Sequence, residues 1–266
     1  MQALVINAAD VSGMVSRLWW PALRIGGFVL TAPIASEKTI PSRVKVVLTL
    51  ALAFLVSPLA PVPPSLSIFT GAGVLTAVQE IIIGVAIGMV MQLAFDGLTF
   101  AGQTLSMSMG LGFATLVDPQ RGVNVPVLGQ IVSVMGTLSY LAINGHLVLL
   151  AALANSFQTL PIGAETIDKD FLLAVATWGG RIFETGLLVA MPAMIALIIV
   201  NLALGVISRA APQLSLFSIG FTISLLSGFF VLMVGLDGIM GNIGNLIDGT
   251  LKMVVELVAT HPAGAH

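Results

Sequence analysis

The chain has 266 residues, of which 57% are hydrophobic and only 8% are charged, with a net charge of −2. Soluble domains carry about 25% charged residues, so this composition excludes an ordinary water-soluble domain. The absence of cysteine excludes disulfides and thiol chemistry, and no basic block of the kind that binds nucleic acid is present. Continuous apolar runs favour helices over the alternating strands of a membrane barrel. We therefore expect an all-α, polytopic membrane protein with about six spans.

Charges and prolines separate the first three expected spans. The first covers residues 11–33 and contains two arginines. After a basic loop, a short second span at 46–56 ends at a proline-rich stretch, because proline cannot continue a helix. The third span covers 66–96 and is interrupted only by Glu80.

The second half of the chain has fewer charges. Residues 97–117 are uncharged but rich in Gly, Ser and Thr, and we expect an irregular segment there. Residues 122–164 are too long for one helix across a ~30 Å bilayer core. We therefore expect the segment either to bend, with Gly136 and Asn144-Gly145 as the break points, or to continue beyond the membrane. The fifth and sixth spans cover 171–208 and 215–236, with a tight turn at Pro212. Apolar residues at helical spacing predict that the tail prolongs the last helix.

Ionisable residues inside membrane spans are costly and often functional. Arg181 and Glu184 stand three residues apart and can form an ion pair on one helical face. Glu80 has no partner close in sequence. We expect it either to pair with Arg17 or Arg24 and fix helix packing, or to line a polar path.

Small residues and the absence of chemical motifs favour a structural role. Gly84 and Gly88 have the Gly-xxx-Gly spacing that lets two helices approach closely. His146 is the only histidine outside the last six residues, which argues against the usual two-histidine metal site. No nucleophilic triad or phosphate-binding loop is recognisable. We predict no catalytic residue, no metal and no cofactor.

The most unusual stretch is 101–119, which combines glycines, methionines and one aromatic residue and ends at a proline. Methionine is flexible and fills irregular gaps. Irregular backbone at membrane depth survives only where it is buried in protein or lines a cavity. This composition fits either a deformable plug or a kinked, buried helix with ordinary methionine packing.

Within this stretch, residues 110–119 (GLGFATLVDP) closely resemble the signature of the FliR family, which includes SpaR- and SctT-like subunits. Four other stretches agree with the family in order and approximate spacing: 40–43 (IPSR), 79–84 (QEIIIG), 144–146 (NGH), and 211–214 (APQL) with 217–221 (FSIGF). The sequence departs from the family pattern at Gly112, Ser215 and Thr222. The resemblance covers nearly the whole chain.

The resemblance implies a structural subunit of the flagellar type III export gate. It implies a FliP-like part at 1–170 and a FliQ-like hairpin and tail at 171–266. The implied location is the bacterial inner membrane at the flagellar basal body. The implied partners are FliP-like and FliQ-like subunits, FlhB-like and FlhA-like export components, membrane lipid and unfolded flagellar proteins.

The family's plug loop maps onto about 106–123, so the resemblance implies a pore seal at Met107, Met109, Gly110, Leu111, Gly112 and Phe113. The candidates for structural or subunit contacts are Arg17, Arg24, Glu80, Gly84, Gly88, Arg181, Glu184 and Pro212. An ion-coupled transporter that uses Glu80, Asp96 and Arg181 is the alternative, although we see no internal repeat of the kind that transporters often show.

Overall fold

The computed structural model describes residues 8–63, 66, 70–111, 127–163, 169–210 and 220–259. The regular structure in these ranges is helical, apart from a 3-10 turn at Ser57–Leu59, and contains no strand. This confirms the predicted all-α class. The helices are α1 (Ala8–Thr31), α2 (Ser42–Val56), α3 (Gly71–Ser108), α4 (Val127–Ala142), α5 (Gly145–Thr159), α6 (Lys169–Ala210) and α7 (Phe221–Ala259).

Four segments are long and apolar enough to cross a membrane: Ser42–Leu59, Gly71–Ser108, Gly186–Ala210 and Phe221–Ala259. Helices α4 and α5 together would add a fifth span, bent by 66° at their junction. The expectation of six spans is therefore too high for the described helices, because α1, which carries Arg17 and Arg24, is not among these segments. The chain remains a multi-pass membrane protein.

Helix α3 continues past residue 96 and ends at Ser108, so the expected irregularity is wrong for residues 97–108. Three hydroxyls of this stretch bond within the helix, each to the carbonyl four residues earlier, at 2.8–2.9 Å. They belong to Thr99, Thr104 and Ser108. Gly102 lies so close to α4 that a Cβ added at Gly102 would overlap the Cα of Gly129. The small residues therefore serve close helix packing and do not break the helix.

The junction between α4 and α5 lies at one of the two predicted break points. Asn144 has a φ of 56°, a conformation that ends helices at Gly and sometimes at Asn. Its N–H donates to the Leu141 carbonyl at 3.0 Å. Gly136, the other predicted break, instead lies inside α4, where an added Cβ would overlap Leu98 of α3. The break prediction is thus confirmed at Asn144-Gly145 and wrong at Gly136.

The tail does prolong the last helix, as its periodicity predicts. Helix α7 continues to Ala259, and its last turns bury a stripe of apolar side chains at helical spacing, namely Ile243, Ile247, Leu251 and Val254. Helix α6 also exceeds the predicted span slightly at both ends. The turn predicted at Pro212 lies outside the described residues.

The described helices belong to two compact units. One contains the described residues up to Gln92, the range Gly145–Trp178 and the chain from Thr250 onward. Trp20, Ile25 and Ile87 are among its fully buried side chains. The other unit contains Leu93–Asn144 and Gly179–Gly249. The division at residue 170 into FliP-like and FliQ-like parts stays a prediction.

Candidate functional site: a buried ion pair and the end of helix α3

Arg24 of α1 and Glu80 of α3 form a buried ion pair. Arg24 Nε donates to Glu80 Oε2 at 2.7 Å, and Arg24 Nη2 donates to Oε1 at 3.0 Å. Both side chains are almost completely shielded from solvent. This two-point geometry is the strong form of an arginine–carboxylate contact. The ion pair holds α1 against α3 and fixes the position of one helix along the other.

The remaining Arg24 donors bond to the C-terminal end of α5. Nη1 donates to the carbonyl and hydroxyl oxygens of Ser156 at 2.7 and 3.0 Å, and Nη2 donates to the Leu160 carbonyl at 2.8 Å. The guanidinium carbon lies 4.3 Å from the centre of the Phe157 ring. An arginine has five N–H donors, and Arg24 makes five hydrogen bonds. A cation at a helix C-terminus also interacts favourably with the helix dipole.

The Gly-xxx-Gly pair of α3 lies in the contact between α3 and α1. A Cβ at Gly84 would overlap the backbone carbonyl of Arg24, and one at Gly88 would overlap the hydroxyl of Thr31. Thr31 Oγ1 in turn bonds to the Val85 carbonyl at 3.2 Å. Here the spacing brings two helices of the same chain together, and it positions the arginine for its ion pair.

Helix α3 ends at a glycine in the left-handed region. Gly110 has a φ of 82°. Its N–H donates to the Met107 carbonyl at 3.0 Å, and the Leu111 N–H donates to the Ser106 carbonyl at 3.0 Å. These two bonds form a Schellman motif, a common way for helices to end. Gly110 therefore ends the helix within the predicted seal, 107–113.

The two methionines beside Gly110 differ in their surroundings. Met107 is 70% exposed, whereas Met109 is fully buried. Met109 lies against Gly228 of α7, where an added Cβ would overlap its side chain. Leu111 is half-buried. Gly112 and Phe113, the other two predicted seal residues, lie outside the described residues.

Asn201 of α6 contacts both α3 and α7. Its Nδ2 donates to the Ser108 carbonyl at 3.1 Å, and its Oδ1 accepts a hydrogen bond from Ser224 Oγ at 3.1 Å. Asn201 and Ser224 are not among the residues predicted from the sequence. The available signal was an amide inside an apolar run, since polar side chains in membrane helices commonly bond across to neighbouring helices.

Residues 15–250 match the family described as bacterial export proteins, family 1. The flagellar biosynthetic protein FliR of Pectobacterium carotovorum subsp. carotovorum is 42% identical over 229 residues, which cover 86% of this chain and 87% of that protein. The chain belongs to the FliR family. The FliR protein of Escherichia coli strain K12 is 38% identical over 244 residues, with 92% and 93% coverage. Bacillus subtilis strain 168 has a FliR that is 27% identical over 240 residues.

Membership of the FliR family makes this chain a component of the flagellar protein-export apparatus and a multi-pass membrane protein. The described residues contain no group of three or more metal-ligating side chains. Among the predicted contact residues, Arg17 and Glu184 are exposed, as is Asp96. The side chain of Arg181 lies outside what the structure describes, so its pairing with Glu184 stays a prediction.

Proposed function

We propose that this FliR-family chain is a structural subunit of the flagellar export gate in the bacterial inner membrane, at the flagellar basal body. It helps to form and seal the channel through which unfolded flagellar proteins are exported. Its neighbours in the gate are FliP-like and FliQ-like subunits, and FlhB-like and FlhA-like components work with the gate. We assign the chain no catalytic step.

The uncovered apolar surface of the chain is the observation that carries this proposal. Little of three of the four membrane-spanning segments is buried inside the chain. The buried share of the apolar window is 11% in Ser42–Leu59, 22% in Gly186–Ala210 and 17% in Phe221–Ala259. Large side chains on α6 and α7 stand open, among them Leu202, Val206, Met233 and Val234. Apolar surface of this extent needs lipid or protein to cover it. In a gate, neighbouring subunits provide most of that cover.

The end of α3 supports the sealing role. The proposed seal consists of Met107, Met109, Gly110 and Leu111, together with Gly112 and Phe113, which lie outside the described residues. A channel that passes an unfolded chain has to widen and then close tightly against ions. Methionine suits such a surface because its unbranched thioether adapts to irregular shapes.

The ion-coupled transporter finds less support in the geometry. Such a mechanism needs an ionisable group that can exchange its partner, and Glu80 was its first candidate. Glu80 is buried and directs both carboxylate oxygens to Arg24. This arrangement favours a role in helix packing.

Deleting residues 107–113 tests the sealing role. We expect the isolated gate complex to form in normal yield but to conduct ions in planar bilayers without any substrate. A finer comparison uses Met107→Ser and Met233→Ser, because both methionines are 70% exposed in the chain. The first should raise ion conductance and the second should not. Background conductance in an intact complex that carries the deletion would overturn the sealing role.

A further inference from the structure

We propose that Asn201 is the positioning residue of the seal: it fastens the end of α3 to α6 and α7, and this contact releases when the channel opens. The inference rests on the proposed function. It adds a residue outside the seal itself and a specific contact that has to break.

The carbonyls at the end of α3 show why Asn201 matters. The last four carbonyls of a helix have no partner within the helix. At the end of α3, the carbonyls of Ser106 and Met107 accept hydrogen bonds from the backbone N–H groups of Leu111 and Gly110, each at 3.0 Å. The next carbonyl, that of Ser108, accepts from Asn201 Nδ2 at 3.1 Å. Asn201 therefore contributes to the capping of α3 from a different helix.

The orientation of the Asn201 amide follows from its two partners. A backbone carbonyl can only accept, so the NH₂ end of the amide has to face Ser108. The oxygen end then faces Ser224 of α7, whose hydroxyl donates at 3.1 Å. One side chain thus bridges three helices, and neither a hydrocarbon nor a carboxylate of the same size could make both bonds.

An apolar contact next to the Asn201 amide also holds the end of α3 in place. Met109 is fully buried, one residue beyond Ser108. It packs against Gly228 of α7, and this position leaves no room for a side chain. The end of α3 is therefore fastened by one hydrogen bond from Asn201 of α6, which the Ser224 hydroxyl of α7 orients, and by one methionine contact with α7.

The Asn201 hydrogen bonds are weak enough to break when the channel opens. A hydrogen bond between membrane helices is individually weak, so the two bonds of Asn201 hold a closed state without locking it. By contrast, we expect the Arg24 cluster to stay intact, because it has five hydrogen bonds and a buried ion pair. Loss of the Asn201 bonds shifts the end of α3 toward its released position.

The absence of cysteine from the natural sequence permits a direct test. In the assembled complex with Met109→Cys, the thiol is the only one in this chain, and a membrane-impermeant maleimide reports how often residue 109 becomes exposed. Adding Asn201→Leu should raise the labelling rate roughly three- to tenfold, because two interhelical bonds are lost. Ser224→Ala removes one bond and should give a smaller rise. Asn242→Leu, the same change at an exposed asparagine of α7, should give none.

A disulfide test covers the case in which Asn201→Leu prevents assembly. The side chain of Met109 lies directly against Gly228. The double variant Met109→Cys with Gly228→Cys therefore places two thiols close together. Oxidation should abolish substrate passage, and reduction should restore it. A disulfide that forms fully and leaves passage unchanged overturns the inference.

The outcomes also separate this inference from the proposed function. If the 107–113 deletion conducts ions but Asn201→Leu in an intact complex changes neither labelling nor conductance, only the role of Asn201 is wrong. If the deletion does not conduct, the sealing role fails, and the inference fails with it. Faster labelling together with raised conductance in Asn201→Leu supports both.

Discussion

Arg24 and Glu80, 56 residues apart in sequence, meet as a two-point ion pair with an Nε–Oε2 distance of 2.7 Å. The pair is fully enclosed. Because the same arginine also bonds to the end of α5, it joins three helices of one unit. A buried charge that loses its partner is far more costly than an exposed one, so this cluster gives the clearest stability prediction.

Glu80→Leu should destabilise the chain by about 3–5 kcal/mol, because Arg24 stays buried without its carboxylate. The measurement is the free energy of unfolding of the purified chain in detergent. The yield of the assembled complex should fall more than the amount of chain inserted into the membrane.

Two further variants control this result. Glu37→Leu makes the same chemical change at an exposed position and should stay within about 0.5 kcal/mol of the natural chain. Arg24→Met combined with Glu80→Leu should recover part of the loss, because no charge is left unpaired. A Glu80→Leu chain as stable as the natural one would show that the ion pair does not hold these helices together.

Gly84→Ala should destabilise the chain by about 1–3 kcal/mol, because overpacking a tight contact forces the backbone to move. The added methyl would overlap the backbone carbonyl of Arg24, which cannot rotate away as a side chain would. The matched control is Gly235→Ala in α7, where nothing lies within 4 Å of an added Cβ. That change should be neutral or slightly stabilising, since alanine favours helix by about 1 kcal/mol. Equal melting temperatures for the two variants would contradict the close approach of α1 and α3.

Gly110 should tolerate asparagine better than valine. Its φ of 82° is accessible to glycine and, at modest cost, to asparagine, but a β-branched residue is strained there. We expect Gly110→Val to weaken the end of α3 by about 1–2 kcal/mol and to raise ion conductance of the assembled complex, with Gly110→Asn in between. Conductance that is the same in all three proteins would mean that this helix end does not position the seal.

Features that depend on composition and periodicity could be predicted from the sequence. They include the all-α class, the break at Asn144-Gly145 and the continuation of the last helix. The prediction failed at residues 97–108, because glycine, serine and threonine can either interrupt a helix or allow close helix packing. In α3, the Thr99 hydroxyl bonds to a carbonyl of the preceding turn, and Gly102 allows α4 to approach closely.

The partners of the polar residues could not be read from the sequence. Arg17 and Arg24 stand seven residues apart and therefore share one face of a helix, so periodicity could not decide which of them meets Glu80. The other partners of Arg24 include the Ser156 and Leu160 carbonyls, and the acceptor of Asn201 is also a carbonyl. Backbone carbonyls occur at every residue, so no residue type marks them as acceptors.

The mass of the intact complex tests the central claim most directly. The chain would be purified in mild detergent from its natural membrane and weighed by native mass spectrometry, with its partners identified by sequence. The gate proposal predicts one defined particle that contains this chain together with FliP-like and FliQ-like subunits. A particle that contains this chain alone, as a monomer or homo-oligomer, would contradict it.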